Sequence, residues 1–162
     1  MKTRMSALLV TTGLLCVAAM PAGAQDSGVD FSQSTATLTI NTISTAAPNI
    51  LRTVTVVCPN AGYAVATAST LFSFNVGNPT FPGTIAYSVS VNSTSFDANH
   101  QHNVFGNYVN GFHIFPATMQ RVNTCRAKQS LTFRFLATNG TNVFDTKAKQ
   151  PRLVVAYYRN RL

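Results

Sequence analysis

The chain lacks the residues on which several common kinds of active site depend. Its 162 residues include no tryptophan, three cysteines and four acidic residues. The acids are Asp26, Asp30, Asp97 and Asp145, so glutamate is absent. Paired-carboxylate hydrolysis needs two suitably placed acids, and neither a Gly-x-Ser-x-Gly elbow nor a glycine-rich phosphate loop occurs. We therefore predict that the protein is not an enzyme and holds no cofactor.

Long hydrophobic runs are also missing. No apolar stretch approaches the roughly 18 residues that a membrane-spanning helix needs, so a helical membrane protein is not expected. The main apolar run follows Lys2 and Arg4 and ends at the small residues 22–24, the layout of a secretory signal peptide. We predict a signal peptide over residues 1–24 and a secreted or periplasmic protein. The 138 residues that remain suit one domain with a buried core.

The few cysteines support the same compartment. Once Cys16 is removed with the leader, Cys58 and Cys125 remain. An even pair in an oxidising compartment predicts one disulfide. It would close a loop of 68 residues, which is worth about 4 kcal/mol in the chain-entropy model. The wide spacing, without any Cys-x-x-Cys, argues against a metal site formed by these thiols.

Alternation of apolar and polar residues dominates the chain after residue 35. The period of two is typical of strands, and the runs that show it are 36–40, 53–58, 63–68, 72–76, 85–91, 131–137 and 153–157, with a less regular stretch near 105–115. We predict a flexible N-terminal arm over residues 25–35 and one all-β domain over 36–162. About eight short antiparallel strands favour a β-sandwich, with a small barrel as the alternative. Asn139-Gly140 predicts a tight turn between two antiparallel strands.

Positive charge is concentrated in the second half of the chain. Residues 25–100 carry a net charge of −2, whereas residues 101–162 hold nine bases and one acid, a net charge of +8. Such asymmetry indicates a basic face directed at an anionic partner. The bases are Arg121, Arg126, Lys128, Arg134, Lys147, Lys149, Arg152, Arg159 and Arg161. We predict an anion-binding set at Arg121, Arg126, Lys128 and Arg134. The alternative is a solvated strand edge, where positive charges block aggregation between sheets, and it accounts for part of the basic residues.

Three histidines form the second candidate site. His100 and His102 are two residues apart, and His113 follows. Residues i and i+2 of a strand share one face, which suits a metal. The surrounding polar segment also reads as an exposed loop, in which histidines need no function.

Three functions remain open from the sequence. The first is a non-catalytic binding or structural protein that contacts an anionic polysaccharide, a lipid headgroup or an acidic protein; export argues against nucleic acid. The second is a fimbria-like or coat assembly subunit, in which the alternating run 153–158 pairs with a partner strand. The third is a small metal-dependent enzyme that uses the three histidines. The oligomeric state is not predicted.

Overall fold

The structure, a computed structural model, describes residues 28–44, 46–78, 83–105 and 111–159. The predicted signal peptide lies outside these residues. Nine strands occur among the described residues. They are β1 (Val29–Gln33), β2 (Thr37–Thr39), β3 (Asn49–Val57), β4 (Gly62–Val76), β5 (Thr84–Val91), β6 (Gln101–Phe105), β7 (Gly111–Cys125), β8 (Ser130–Asn139) and β9 (Val143–Arg159), with a 3-10 helix at Ala98–His100. No helix in the described segments is long and apolar enough to cross a membrane.

The strands form two antiparallel sheets, which confirms the predicted all-β sandwich. Sheet A has the order β1-β9-β4-β7, and β2 also pairs with β9. Sheet B has the order β3-β8-β5-β6. Every strand pair is antiparallel. The count of strands in the described segments is nine rather than about eight.

A disulfide joins the two sheets at one end of the sandwich. Cys58 directly follows β3 of sheet B, and Cys125 ends β7 of sheet A. The two are bonded, which confirms the predicted pair. Two backbone hydrogen bonds beside the bridge, Cys58 N–H to Gln129 O and Lys128 N–H to Cys58 O, hold the β7–β8 turn against the same point.

The core lies between the sheets, and period-two burial produces it. In β4 every second residue from Ala64 to Val76 is buried, and in β8 Leu131, Phe133 and Phe135 are almost fully enclosed. Neighbouring strands present their apolar residues to the same interior because directly paired residues share one face of a sheet. Alternation therefore identified most of the core residues.

Strands β1 and β4 differ from the sequence-based expectations. Residues 29–33, assigned to the flexible arm, form β1 and pair with β9, because backbone pairing at a sheet edge needs little apolar alternation. Runs 63–68 and 72–76 are one continuous strand, since burial continues through Thr70.

The Asn139-Gly140 segment is not a hairpin, because β8 and β9 belong to different sheets. The residue with positive φ in this connection is Asn142, at 57°. Glycine is required at position 140 for a steric reason and not for a positive φ, because a Cβ there would collide with Thr84. The prediction of a tight turn between paired strands was therefore wrong.

Strand β9 contains two register shifts, near Asp145 and near Gln150. Both residues have positive φ, 52° and 49°. Each irregularity changes which residue parity faces outward. As a result Thr146 and Ala148 point into the core, whereas Lys147 and Lys149 face the solvent side of sheet A.

Candidate interaction surface

The two sheets differ in how their outer sides are covered. On sheet B, the outward residues Ser88, Ser90, Leu136 and Thr138 are all at most 1% exposed. Loop backbone covers them: Ser88 donates to His100 O, Ser90 to Ser93 O and Thr138 to Thr42 O. Loops therefore bury the middle of the outer side of sheet B, along β5 and the end of β8, whereas β3 keeps exposed residues there, such as Ile50 and Val57.

The outward side of sheet A, called the outer face below, carries most of the exposed apolar surface. Eleven large hydrophobic side chains are exposed in the described part of the chain. The strand registers place eight of these on the outer face: Val29, Tyr63, Leu71, Phe112, Ile114, Val122, Phe144 and Tyr158. Such a concentration on one side is typical of an interaction surface.

One end of the outer face is an apolar row that crosses β1, β9, β4 and β7. Val29 pairs with Ala156, Ala156 with Val65, and Val65 with Val122. Val29 and Val122 are 63% and 58% exposed. This row lies next to Tyr63, whose ring stacks on that of Tyr158 with centroids 5.4 Å apart.

The other end of the outer face is also apolar. Ile114 and Phe112 of β7 are 49% and 59% exposed, and Phe144 of β9 is 51% exposed. Asn75 of β4 lies between Phe112 and Phe144 in the register. The ammonium of Lys149 reaches across to the Phe112 ring, 5.5 Å from its centroid, a cation–π contact.

Between these two ends, β9 presents a line of three cations. Lys147 is paired with Ser73, Lys149 with Leu71 and Arg152 with Ser69. Successive partners on β4 are two residues apart, so the cations follow each other at about 7 Å. The register shift near Gln150 keeps Arg152 on the same side as the lysines. We call these three residues the cation line.

Acidic charge near the cation line is sparse. Of the acids in the described segments, Asp145 lies on the outer face, where Asn75 Nδ2 donates to its Oδ2 at 3.4 Å. Asp30 has the opposite parity in β1, because it pairs with the inward residue Val155. Asp97 lies beyond sheet A, in the loop between β5 and β6. The outer face therefore has a net positive charge.

A shallow depression of about 280 Å³ lies at the centre of the outer face. Leu71 and Pro116 supply apolar walls and Ser69 and Thr118 hydroxyl groups, and Lys149, whose ammonium lies over Phe112, borders the depression. The volume is at the small end for a ligand site. It suits one acidic group of a larger partner rather than a whole cofactor.

The predicted anion-binding residues are distributed over three places. Arg121 points between the sheets, where its Nη1 lies 2.7 Å from Asp97 Oδ2. Arg134 is on the outer side of β8 and donates to Ser93 O. Arg126 and Lys128 lie together in the β7–β8 turn and line an open depression of about 640 Å³. The turn pair is thus a second cationic surface, and anion binding by this set stays a prediction.

The three predicted metal ligands lie on three different elements. His100 ends the 3-10 helix, with its Nδ1 3.5 Å from Asp97 Oδ2. The His102 ring, on β6, stacks on Tyr87 at 5.8 Å, and the His113 ring, on β7, contacts Phe74 at 6.0 Å. Among the described residues, no three His, Cys, Asp or Glu side chains are placed to hold a metal ion.

The run 153–158 is not available to a partner strand. It lies within β9, which pairs with β1 on one side and with β4 on the other. The strands of sheet A that pair on one side only are β7, with β4, and the short β1 and β2, with β9. Periodicity locates a strand but does not show its position in a sheet, so the route to assembly through residues 153–158 was wrong.

Sequence reasoning missed most of the outer face. The shared parity of Lys147 and Lys149 is visible in the sequence, and it does predict that the two lysines project together. Arg152 has the opposite parity, and only the register shift near Gln150 brings it into line. Val29 and Tyr63 join the surface through strand pairing, which no local pattern reveals.

Comparisons with known proteins leave the function open. Neither protein-family models nor curated proteins gave a match to the chain. The chain is similar to a structure of the tripod (BppUct-A-L) from the baseplate of bacteriophage Tuc2009, with 17% identity and a TM-score of 0.44 over 98% of this chain and 80% of that chain. It is also similar to a structure of infectious bursal disease virus Gx strain, with 10% identity and a TM-score of 0.32 over 81% and 29% of the two chains. Both scores are too low to support a functional argument.

Proposed function

We propose that this protein is an exported, non-catalytic binding or structural protein that contacts an anionic envelope component through the outer face of sheet A. The cation line carries the proposal, because Lys147, Lys149 and Arg152 project side by side from one strand. Asp145 is the acid that shares the face with them in the described segments. Grouped cations attract and hold an anionic surface, most strongly at low salt.

Export is supported by two independent features. The N-terminal pattern over residues 1–24 is that of a secretory signal peptide. The Cys58–Cys125 bond suits an oxidising compartment, where structural disulfides persist. A secreted or periplasmic location would expose the outer face to polysaccharide, lipid headgroups and envelope proteins.

The test compares two variants that lose the same charge from different surfaces. K147S/K149S/R152S removes the cation line, and R126S/K128S/R134S removes three cations elsewhere, including the turn pair. Binding to dextran sulfate and to vesicles of phosphatidylglycerol is measured at low salt. We expect the first variant to bind at least tenfold more weakly and the second to bind within about threefold of wild type.

Two other results would contradict an anion-binding site at the cation line. Loss of binding in R126S/K128S/R134S alone would move the site to the residues predicted from the sequence. Equal binding by all three proteins to both probes, or failure of wild type to bind either, would refute an anion-binding outer face. Circular dichroism confirms that each variant is folded.

A further inference from the structure

We infer that the anionic component is the acidic surface of another protein, which docks on the outer face with apolar groups against both ends and carboxylates against the cation line. This inference rests on the proposed function, because it assigns a partner to the same surface. A simple polyanion uses cations alone. The outer face also presents exposed apolar side chains at both of its ends, which a polyanion would not contact.

The apolar part of the outer face favours a protein over a glycan or a headgroup. Aliphatic side chains dominate one end, where Val29, Ala156, Val65 and Val122 form an unbroken row. Such residues give nothing to a charged polymer, but they pack well against apolar side chains of a facing protein surface. Aromatic and apolar centres next to charged groups are the usual composition of protein interfaces.

The size of the outer face matches a protein partner. From Tyr63 to Asn75 the face runs 12 residue steps along β4, which is about 40 Å. Across the sheet, β7, β4, β9 and then β1 or β2 make four strand positions, which span about 19 Å. The product is about 770 Å². A stable interface buries about 800 Å² on each partner, so one protein surface would cover the whole face.

Charge argues against a second copy of this chain as the occupant. In a two-fold dimer each partner presents the same patch to the other. A two-fold axis that crosses the strands at the centre of the face would bring the cation line opposite that of the copy. An axis along the strands between β9 and β4 would leave the two lines one strand spacing, about 5 Å, apart sideways. The desolvated like charges would oppose association, whereas carboxylates on a different protein would complement them.

The central depression fits this arrangement. It joins Lys149 with the hydroxyl-bearing residues Ser69 and Thr118 between the apolar side chains of Leu71 and Pro116. An aspartate or glutamate side chain from a partner would receive charge-assisted hydrogen bonds there. Binding energy concentrates near the middle of an interface, where the facing partner excludes water.

Site-specific photocrosslinking in the cells that export the protein tests this inference. A photoreactive benzoylphenylalanine replaces Val122 on the outer face, or Val57 on sheet B as a matched control. The two valines are similarly exposed, at 58% and 63%. We expect a discrete adduct with one other protein from position 122 and none from position 57.

The same adduct is then measured in the two charge variants. K147S/K149S/R152S should lower its yield at least fivefold, and R126S/K128S/R134S should leave it within about twofold. Mass spectrometry should place the crosslink in an acidic segment of the partner. The protein with the photoreactive residue at position 122 is compared with wild type by its thermal midpoint, to show that the substitution leaves the fold intact.

Several outcomes overturn the inference. They are an adduct of twice the mass of this chain, an adduct only with lipid or glycan, no adduct, or a protein adduct whose yield does not depend on the cation line. Binding to dextran sulfate and vesicles distinguishes failure of the acidic-partner inference from failure of the proposed anion binding. If that binding depends on the cation line but no protein adduct forms, the proposed function stands and the acidic protein partner does not.

Discussion

Arg121 and Asp97 form an ion pair that connects sheet A to the loop between β5 and β6. Arg121 projects inward from β7, and its Nη1 donates to Asp97 Oδ2 at 2.7 Å. Asn99 N–H also donates to Asp97 Oδ1 at 3.0 Å, which caps the 3-10 helix. The hydrogen bond from Arg121 is the main reason that the pKa of Asp97 lies below its ordinary value of 3.8.

The Asp97–Arg121 pair predicts an acid-dependent part of the stability. Because the folded-state pKa of Asp97 is lowered, its contribution is fully present above the unfolded value and disappears as the pH falls through the folded value. Asp97→Asn should lower the free energy of unfolding at pH 7 by about 1–2 kcal/mol. Urea titrations at pH 7 and at pH values below 3.8 measure both effects.

Asp145→Asn is the matched control for this prediction, because Asp145 is exposed and accepts a hydrogen bond from the neutral amide of Asn75. It should keep the acid dependence of wild type. If Asp97→Asn retained that dependence as well, the ion pair would not be its source.

Loss of the disulfide should destabilise the sandwich without changing its fold. Cys58 and Cys125 are separated by 67 residues, so the double variant C58S/C125S should lose about 4 kcal/mol through the greater entropy of its unfolded chain. Chemical denaturation measures the loss. Reduction of the wild-type protein should give a similar value, and a variant as stable as oxidised wild type would contradict the prediction.

Gly140 should be intolerant of a side chain although its backbone is not left-handed. A Cβ at residue 140 would overlap the side-chain and backbone oxygens of Thr84, which also holds this connection through Gly140 N–H to Thr84 O at 2.9 Å. Gly140→Ala should therefore cost about 1–3 kcal/mol. Gly28→Ala, where nothing lies within 4 Å, should change the thermal midpoint little, and equal effects at the two positions would be inconsistent with a steric cause.

The outer face should contribute little to folding. Leu153 points into the core and is 0% exposed, whereas Val122 on the outer face is 58% exposed. Leu153→Ala should lower the free energy of unfolding by about 2–5 kcal/mol, and Val122→Ala by less than about 0.5 kcal/mol. Denaturant unfolding compares them. A large loss at Val122 would show that the exposed row stabilises the fold instead of awaiting a partner.

Much of the fold was predictable because burial follows local alternation. The inward residues Leu131, Phe133 and Phe135 of β8 are spaced as the sequence shows, and so are Leu153, Val155 and Tyr157 of β9. The cysteine count likewise predicted the disulfide. Residues 116–125 of β7 were missed, since Pro116 resembles a strand end and the inward positions soon turn polar, at Arg121 and Asn123.

The candidate site was much less predictable than the fold. The sequence predicted that positive charge would collect in the second half, but it favoured Arg121 and Arg134, whose charged groups contact Asp97 and the Ser93 carbonyl. Lys149 and Arg152 have opposite parity, so regular alternation would place them on opposite sides of a strand. Their alignment depends on the register shift near Gln150.

The sequence by itself determined the alternating strands, the cysteine pair and the sign and location of the excess charge, because each depends on composition or on near neighbours along the chain. Only the tertiary structure decided that β8 and β9 enter different sheets, that loops cover part of the outer side of sheet B, and that the outer side of sheet A stays open. Strand order and register join residues far apart in sequence. Val29 and Val122 share one apolar row for that reason.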